Sequence, residues 1–550
     1  MAKIIPIIIA PALKQGERIM VPCGVLYLEG YLKKFGYQIK IIDVDIFRYS
    51  DENVIELVGE EDPFLIGISG IIAPAYGYIV RISSVLKKHF SSKKIVVGGN
   101  VASTAEVLLQ HAKVDFVVHG EGELTLKELC EKIENHKDDY ATIKGISFID
   151  KNGAYVETPK RAPIEDLSML DFPNFDLLEM DRYLLTVKQL RPTFLHDQRV
   201  KRFLKENPQA NNRVLGIEFS RGCPHACTFC YRHFQGCRRF SAQYSVNWIE
   251  YLCSKYGFVF FCFNDENFNA DETWIFDFVK EIKVRKLKIF FVIFNASVKK
   301  VTVAQLEALK EIGCVLIQFG LDSGSNRILS IMDKHSTVEE NIKAMALVKT
   351  VGIKTRPTLI IGMPGETRQT IDESIDFFRK IGAKKLELGI RYALSLPRTP
   401  LYEYDLLSGK LVDEHAYLMQ LGTRMETEHR SEHALNHTDL REKEFSELRL
   451  FIMKKVRGNG WYLKHQLKEC ITMIKQALAD SSNKQPLPKE KNICEKQPFE
   501  NKDNTKNHFS FKESYYKLGS LRNINIAIKN DLKAYSQSNN KAHVDSPVMP

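Results

Sequence analysis

Residues Val214–Tyr231 read VLGIEFSRGCPHACTFCY, an apolar strand that runs directly into Cys223, Cys227 and Cys230. The spacing is C-x3-C-x2-C, which lets one short loop wrap three corners of an iron–sulfur cubane. Thiolates are the soft ligands such a cluster needs, and a missing fourth ligand leaves one iron open to another molecule. A structural zinc site is the alternative, with Cys237, His225 or His233 as fourth ligand. Zinc sites usually draw on two separated pairs, whereas this is one tight triplet placed just after a strand.

The same strand opens a βα series. Val214–Phe219, Phe258–Phe263, Lys288–Ile293, Val315–Phe319, Pro357–Ile361 and Leu386–Ile390 are apolar runs with helical spacing between them. Six such units predict a partial TIM-like barrel with its chemistry at the carboxyl ends of the strands. Upstream, Ile4–Ile9, Gln38–Asp43, Phe64–Ser69, Ile95–Val97 and Val114–Val118 are five further short apolar strands separated by helices. They predict an α/β, doubly wound parallel sheet. Ile146–Ile149 and Tyr155–Glu157 flank an Asn152-Gly153 turn and predict a hairpin.

The expected organisation is an N-terminal domain over 1–157, a connector over 158–213 that covers an active site, a barrel over 214–400, a helical region over 401–480, and a disordered tail over 481–550. That tail is rich in Lys, Asn and Ser and carries about half of the net charge of +10. The rest is only mildly basic, which argues against a nucleic-acid surface. No run reaches the roughly 18 apolar residues of a membrane span. The opening Ile4–Ile9 run lacks a signal-peptide cleavage site, and eleven scattered cysteines point to reduced thiols, so a cytoplasmic location is expected.

The cysteine stretch, with Phe229 before its last cysteine, resembles the radical S-adenosylmethionine (SAM) superfamily. That resemblance implies a [4Fe–4S] cluster on Cys223, Cys227 and Cys230. It also implies reductive cleavage of SAM, chelated to the open iron, to a 5′-deoxyadenosyl radical. Further motifs carry the likeness. Asn264-Asp265-Glu266-Asn267-Phe268 is similar to the family's acidic segment after the second strand, which implies that Asp265 and Glu266 lie near the methionine amino group. Gly320-Leu321-Asp322-Ser323-Gly324 is similar to G-x-E-S-G, with Asp322 in place of Glu and Ser323 retained. Lys334 matches a basic residue that commonly follows. Gly362-Met363-Pro364-Gly365-Glu366-Thr367 matches G-x-P-G-E-T, where Gly362, Pro364 and Gly365 are implied to approach the adenosine part. At the end of the third strand, where many relatives have an arginine, Asn295-Ala296-Ser297-Val298 has none, and Lys299 and Lys300 are the nearby cations.

In the N-terminal domain, glycine-rich loops follow the strands: Ser69-Gly70, Val97-Gly98-Gly99-Asn100 and Gly120-Glu121-Gly122-Glu123. Without a G-x-G-x-x-G after the first strand, a dinucleotide site is disfavoured. The loops, with Gly24-Val25-Leu26, resemble the Rossmann-like cobalamin-binding domain attached to many radical SAM enzymes. This implies that Ser69, Gly98, Gly99, Glu121 and Gly122 hold cobalamin, without the D-x-H-x-x-G histidine. The combined resemblance implies a methyltransferase acting on an unactivated carbon. It is compatible with a cyclase or rearrangement enzyme, and with a cobalamin-binding sensor if the cysteines were idle. A methylthiotransferase is disfavoured, since only Cys23 and Cys130 precede the barrel. The expected partners are a small-molecule or peptide substrate and a flavodoxin- or ferredoxin-type electron donor. Tyr231, His233, Arg391 and Tyr392 fall near strand ends, but their residue types do not single out an acid or base.

Overall fold

A computed structural model describes residues 3–11, 21–70, 75–232, 236–423 and 434–462. Ile71–Pro74, His233, most of the helix expected from Trp461 and the tail from 481 lie outside them.

The N-terminal strands are β1 (Lys3–Ile9), β2 (Tyr37–Asp43), β3 (Leu65–Ser69), β4 (Lys94–Gly98) and β5 (Phe116–Val118), followed by β6 (Ile146–Ile149) and β7 (Tyr155–Glu157). They form one seven-stranded sheet in the order β2-β1-β3-β4-β5-β6-β7. The first five pair in parallel; β6 and β7 add an antiparallel edge. Parallel strands must be covered on both faces, which explains their near-continuous apolar runs. Helices Tyr76–His89 and Ala105–His111 bury Ile79, Ile82 and Leu108 against one face. Helices Cys23–Lys33 and Gly122–Glu134 bury Leu32 and Leu129 against the other. The strand order reverses between β1 and β3, the switch point where open α/β sheets bind ligands at their carboxyl ends.

The second sheet contains β8 (Leu185–Thr186), β9 (Arg213–Ile217), β12 (Phe260–Phe263), β13 (Phe290–Ala296), β14 (Cys314–Phe319) and β15 (Lys354–Thr355). A short hairpin, β10 (Ser220–Arg221) with β11 (Arg238–Arg239), carries the cysteine loop between its strands. The last two barrel strands, β16 (Thr358–Ile361) and β17 (Gly389–Tyr392), pair with each other. One residue splices them to β14. Asp322 N–H donates to the Thr358 carbonyl (3.1 Å), and Ile360 N–H donates to the Asp322 carbonyl (2.9 Å). Among the described residues β17 pairs only with β16, and β9 only with β12 and β8, so the barrel stays open. All six expected barrel strands are present, within a few residues of the boundaries read from the sequence. Its outer layer is aromatic: Phe263 stacks on Phe291 with centroids 4.5 Å apart, and Trp274 on Phe278 at 5.0 Å. Burying each such ring contributes about 1.5–3 kcal/mol.

The connector does not form the single cover expected of it. Ile164, Leu167 and Leu170 enter the N-terminal core, and Phe175 enters the barrel core. The Tyr183 hydroxyl donates to Asp43 Oδ2 at 2.5 Å, tying the connector to the end of β2. Further on, Val187, Phe194 and Val200 pack on Val214, Phe260 and Val315. Arg199 Nη2 donates to the Cys314 carbonyl at 2.8 Å. Cys314 begins β14, so this stretch plugs the amino-terminal end of the barrel, away from the cysteines. The C-terminal helices join both units. Tyr417, Leu418 and Leu421 pack into the N-terminal core, while Phe445, Leu448 and Ile452 of helix Glu442–Arg457 pack on the barrel.

Candidate functional site

The cysteine loop leaves β10 through Gly222, whose φ of +90° lies in the left-handed region, and returns through β11. Inside it, the Thr228 N–H donates to the Met332 carbonyl (2.9 Å) and its hydroxyl to the Ile331 carbonyl (3.1 Å). Leu401 N–H donates to the Thr228 carbonyl at 3.0 Å. Two separate elements, the end of helix Asn326–Ile331 and the start of helix Pro400–Leu407, therefore clamp the middle of the loop. Cys227 is buried, Cys223 half-buried and Cys230 accessible. Burial pushes Cys227 up to about 11; neighbouring Cys223 and Asp322 add to the shift, and the Lys334 ammonium opposes it. The Cys227 and Cys223 thiols shift Cys230 in the same direction, again opposed by Lys334. These mutual influences place the thiols in one group, and a metal that binds there must displace their protons. No three His, Cys, Asp or Glu side chains among the described residues are close enough to hold a single metal ion.

Around the loop lie the strand ends singled out in the sequence. Asp265, at the end of β12, is 1% exposed. Its Oδ1 accepts from Phe219 N–H at 3.0 Å and from the Ser220 hydroxyl. Its Oδ2 is buried with no hydrogen-bond partner. Arg239 stands 4.0 Å from Oδ1 and stacks over Trp274. Burial raises the Asp265 carboxyl above its ordinary value, and Arg239 opposes the shift. An orphaned carboxylate oxygen of this kind suits an ammonium group. Glu266 beside it is accessible.

Asp322 sits at φ +58° and pairs with Lys334, which links the G-x-D-S-G turn to the thiols that Lys334 faces. Ser323 is fully buried, and its hydroxyl accepts from Ser325 N–H at 3.1 Å, so it shapes the turn. Asn295 Nδ2 donates to the Asp265 carbonyl (3.1 Å), and Lys300 is turned to the Ala270 carbonyl (2.9 Å). Lys299 is the cation of this pair whose charge reaches the cysteine loop, at His225.

The Gly362–Thr367 loop is held from behind. Gly362 has φ +90°, and a Cβ there would meet the Phe445 ring at 2.9 Å. Its N–H donates to Glu366 Oε2 (2.6 Å), and its carbonyl accepts from His437 Nδ1 (2.7 Å). His437 Nε2 lies 2.6 Å from Asp405 Oδ1, and both side chains are fully buried. Asp405 Oδ2 in turn bonds the Ser395 hydroxyl. Pro364 is buried and Gly365 half-buried at φ +78°.

On the N-terminal sheet, Ser69, Gly98 and Gly120 stand at the carboxyl ends of β3, β4 and β5. A Cβ on Gly98 or Gly120 would meet nothing within 4 Å, so the backbone there faces open space that a flat ligand can approach. Gly99 differs: at φ +87° its Cβ would lie 2.5 Å from the Gly70 carbonyl, so it locks two loops together. Gly122 packs on Leu28. The Glu121 carboxylate is spoken for by Arg221 Nη1 (2.7 Å), Arg238 Nη1 (3.0 Å) and Ile164 N–H (2.6 Å). Of the strand-end candidates, Tyr392 is buried and donates to the Phe445 carbonyl at 3.0 Å.

Two groups escaped sequence reasoning. Glu218 follows β9, on the side of the strand opposite the core residues Ile217 and Phe219. It is accessible and makes no hydrogen bond among the described residues. Desolvation, with the Asp265 and Glu266 carboxylates, pushes it up to about 8, opposed by Arg221. It also acts on Cys23 and Tyr27 of the first helix, so it faces the seam between the two sheets. Strand alternation after Val214 is the signal that could have found it. The Asp405–His437 pair had no such signal, because its members lie outside every motif.

Residues 217–378 match the radical SAM superfamily and residues 13–130 the B12 binding domain. An uncharacterized methyltransferase of Pyrococcus horikoshii is 28% identical over 71% of this chain and 80% of its own length. The anaerobic magnesium-protoporphyrin IX monomethyl ester cyclase of Rubrivivax gelatinosus is 26% identical over 65% of this chain and 62% of its own. Among solved structures, the radical SAM methyltransferase TsrM of Kitasatospora setae, with cobalamin and a [4Fe–4S] cluster bound, aligns with a TM-score of 0.58 at 17% identity. It covers 75% of this chain and 76% of that one. The cobalamin-dependent radical enzyme OxsB aligns at 0.57 and 19% identity, over 76% of this chain and 56% of its own. At these identities the likeness is one of fold.

Proposed function

We propose, from the premise that this chain belongs to the radical SAM superfamily and carries a B12-binding domain, that it is a cobalamin-dependent methyltransferase acting on an unactivated carbon of a small molecule or peptide. The observation that carries this reading is the direct bonding of Arg221, two residues before Cys223, to Glu121 and Glu123 of the N-terminal domain. It brings the thiol loop and the open edge at Gly98 and Gly120 to one seam. When bound, the cluster and SAM supply a 5′-deoxyadenosyl radical, and cobalamin supplies a methyl carrier.

The residues take the following parts. Cys223, Cys227 and Cys230 hold the cluster, and Lys334 stabilises their thiolate form. Asp265 Oδ2 receives the SAM ammonium, with Glu266 beside it. Asp322 keeps Lys334 in place, and Ser323 holds the turn that carries Asp322. Gly362, Pro364 and Gly365 form the loop facing the adenosine, braced by His437. Ser69, Gly98 and Gly99 line the corrin edge, and Glu121 with Gly122 holds that edge to the barrel. Phe219 and Phe268 close the strand ends against water. Lys299, Arg232, Lys334 and His335 all bear on His225 at the cysteine loop. This positive rim suits an acidic one-electron donor of the flavodoxin or ferredoxin type.

The cyclase relative supports a second reading, with the same cofactors and no methyl transfer. With reductant, cobalamin and SAM labelled in the methyl group, methyl transfer produces S-adenosylhomocysteine together with 5′-deoxyadenosine. Deoxyadenosine without S-adenosylhomocysteine would favour the cyclase reading.

A further inference from the structure

We infer that Arg221 is a positioning residue whose bonds to Glu121 and Glu123 set the distance between the corrin edge and the cluster loop. The inference rests on the reading above. Arg221 Nη1 donates to Glu121 Oε1 and Nη2 to Glu123 Oε1, both at 2.7 Å. One guanidinium thus spans two carboxylates at the start of helix Gly122–Glu134, directly after β5. Its plane lies over the Tyr27 ring, 5.1 Å from the centroid, so the first helix also fixes it. Arg238, paired with Arg221 across β10 and β11, donates to the same Glu121 and to the Ile164 carbonyl. Ile164 N–H closes the circuit on Glu121 Oε2 at 2.6 Å.

The network joins the cysteine hairpin, the corrin-side loop and the connector. It is nearly dry: the side chains of Glu123, Glu121, Arg238 and Arg221 are 4%, 9%, 14% and 17% exposed. Two cations and two anions balance inside it, and removing one partner leaves a charge uncompensated. A fork that holds two separate acceptors fixes direction as well as distance, which an ammonium cannot do. The glycine–glutamate loop is thereby a domain clasp, with its carboxylates turned to the barrel.

The test uses Arg221→Lys, which keeps the charge, and Glu123→Gln, which keeps the shape, in the full chain. Deoxyadenosine would report SAM cleaved at a bound cluster, and S-adenosylhomocysteine would report methyl transfer to a bound corrin. The ratio of S-adenosylhomocysteine to deoxyadenosine therefore reads the spacing without any substrate. A displacement of about 1 Å lowers that ratio at least tenfold in both variants. In the protein without cofactors, amide exchange at Thr125 and Leu126 speeds up while helix Val338–Val351 is unchanged. An unchanged ratio, or a loss of bound iron as large as the loss of S-adenosylhomocysteine, overturns the inference. If the wild-type chain makes no S-adenosylhomocysteine, the proposed function fails instead.

Discussion

His437 is the clearest place to perturb the site from outside its motifs. The Gly362 carbonyl can only accept, so Nδ1 donates to it, and a proton lies between Nε2 and Asp405 Oδ1 at 2.6 Å. Both side chains are fully buried. His437→Ala strands the Asp405 carboxylate with only the Ser395 hydroxyl, and leaves the Gly362 carbonyl unmet. Breaking a buried pair in this way costs about 3–5 kcal/mol. That lowers the midpoint of barrel unfolding by roughly 10 °C. Asp405→Ala removes the same interaction from the other side, so the double variant should cost less than the sum by about 2 kcal/mol. Thermal and urea unfolding of the four proteins measure the cycle. Because Gly362 carries the adenosine-facing loop, the KM for SAM should rise more than kcat falls. A cost below about 1 kcal/mol for His437→Ala, or strict additivity in the cycle, would refute the bracing role.

Three other outcomes follow from the geometry. Glu366 is buried and pushed up to about 8 from an ordinary 4.5, so the folded state holds its proton where the unfolded chain has lost it. Stability then falls as pH rises between those values, by up to about 1.4 kcal/mol per unit, and Glu366→Gln should remove that slope in unfolding experiments at graded pH. Gly362→Ala forces a Cβ to within 2.9 Å of Phe445 at φ +90°, and should destabilise by about 2 kcal/mol, with Phe445→Ala relieving the steric part only. Glu218 is likewise pushed up to about 8, so Glu218→Gln should remove an ionisation near pH 8 from the pH dependence of deoxyadenosine formation.

Much of this protein can be read from local sequence. Buried parallel strands declare themselves as apolar runs, and a three-thiol loop is chemically narrow, so both strand series and the cysteine site are legible. The antiparallel edge was half legible: the Asn152-Gly153 turn announces the β6–β7 hairpin, but nothing local says that β6 pairs with β5. Long-range polar contacts are invisible for the same reason. Glu121 lies a hundred residues before Arg221, and only the packing of two domains brings them together. Its place in a glycine-rich loop pointed to a ligand, whereas its oxygens bond the barrel. Asp322 shows a subtler limit. Its turn is legible, but its service as the splice between β14 and β16 depends on pairing with Leu359 across thirty-seven residues, which no local pattern announces.

The central claim is best tested by purifying the chain without oxygen, supplying iron, sulfide and hydroxocobalamin, and then measuring bound metals and 5′-deoxyadenosine release after addition of reductant and SAM. The account predicts about four irons per chain, bound cobalt and deoxyadenosine, with iron and deoxyadenosine lost together when Cys223, Cys227 and Cys230 are replaced by alanine. Zinc in place of iron with no cleavage of SAM would contradict it.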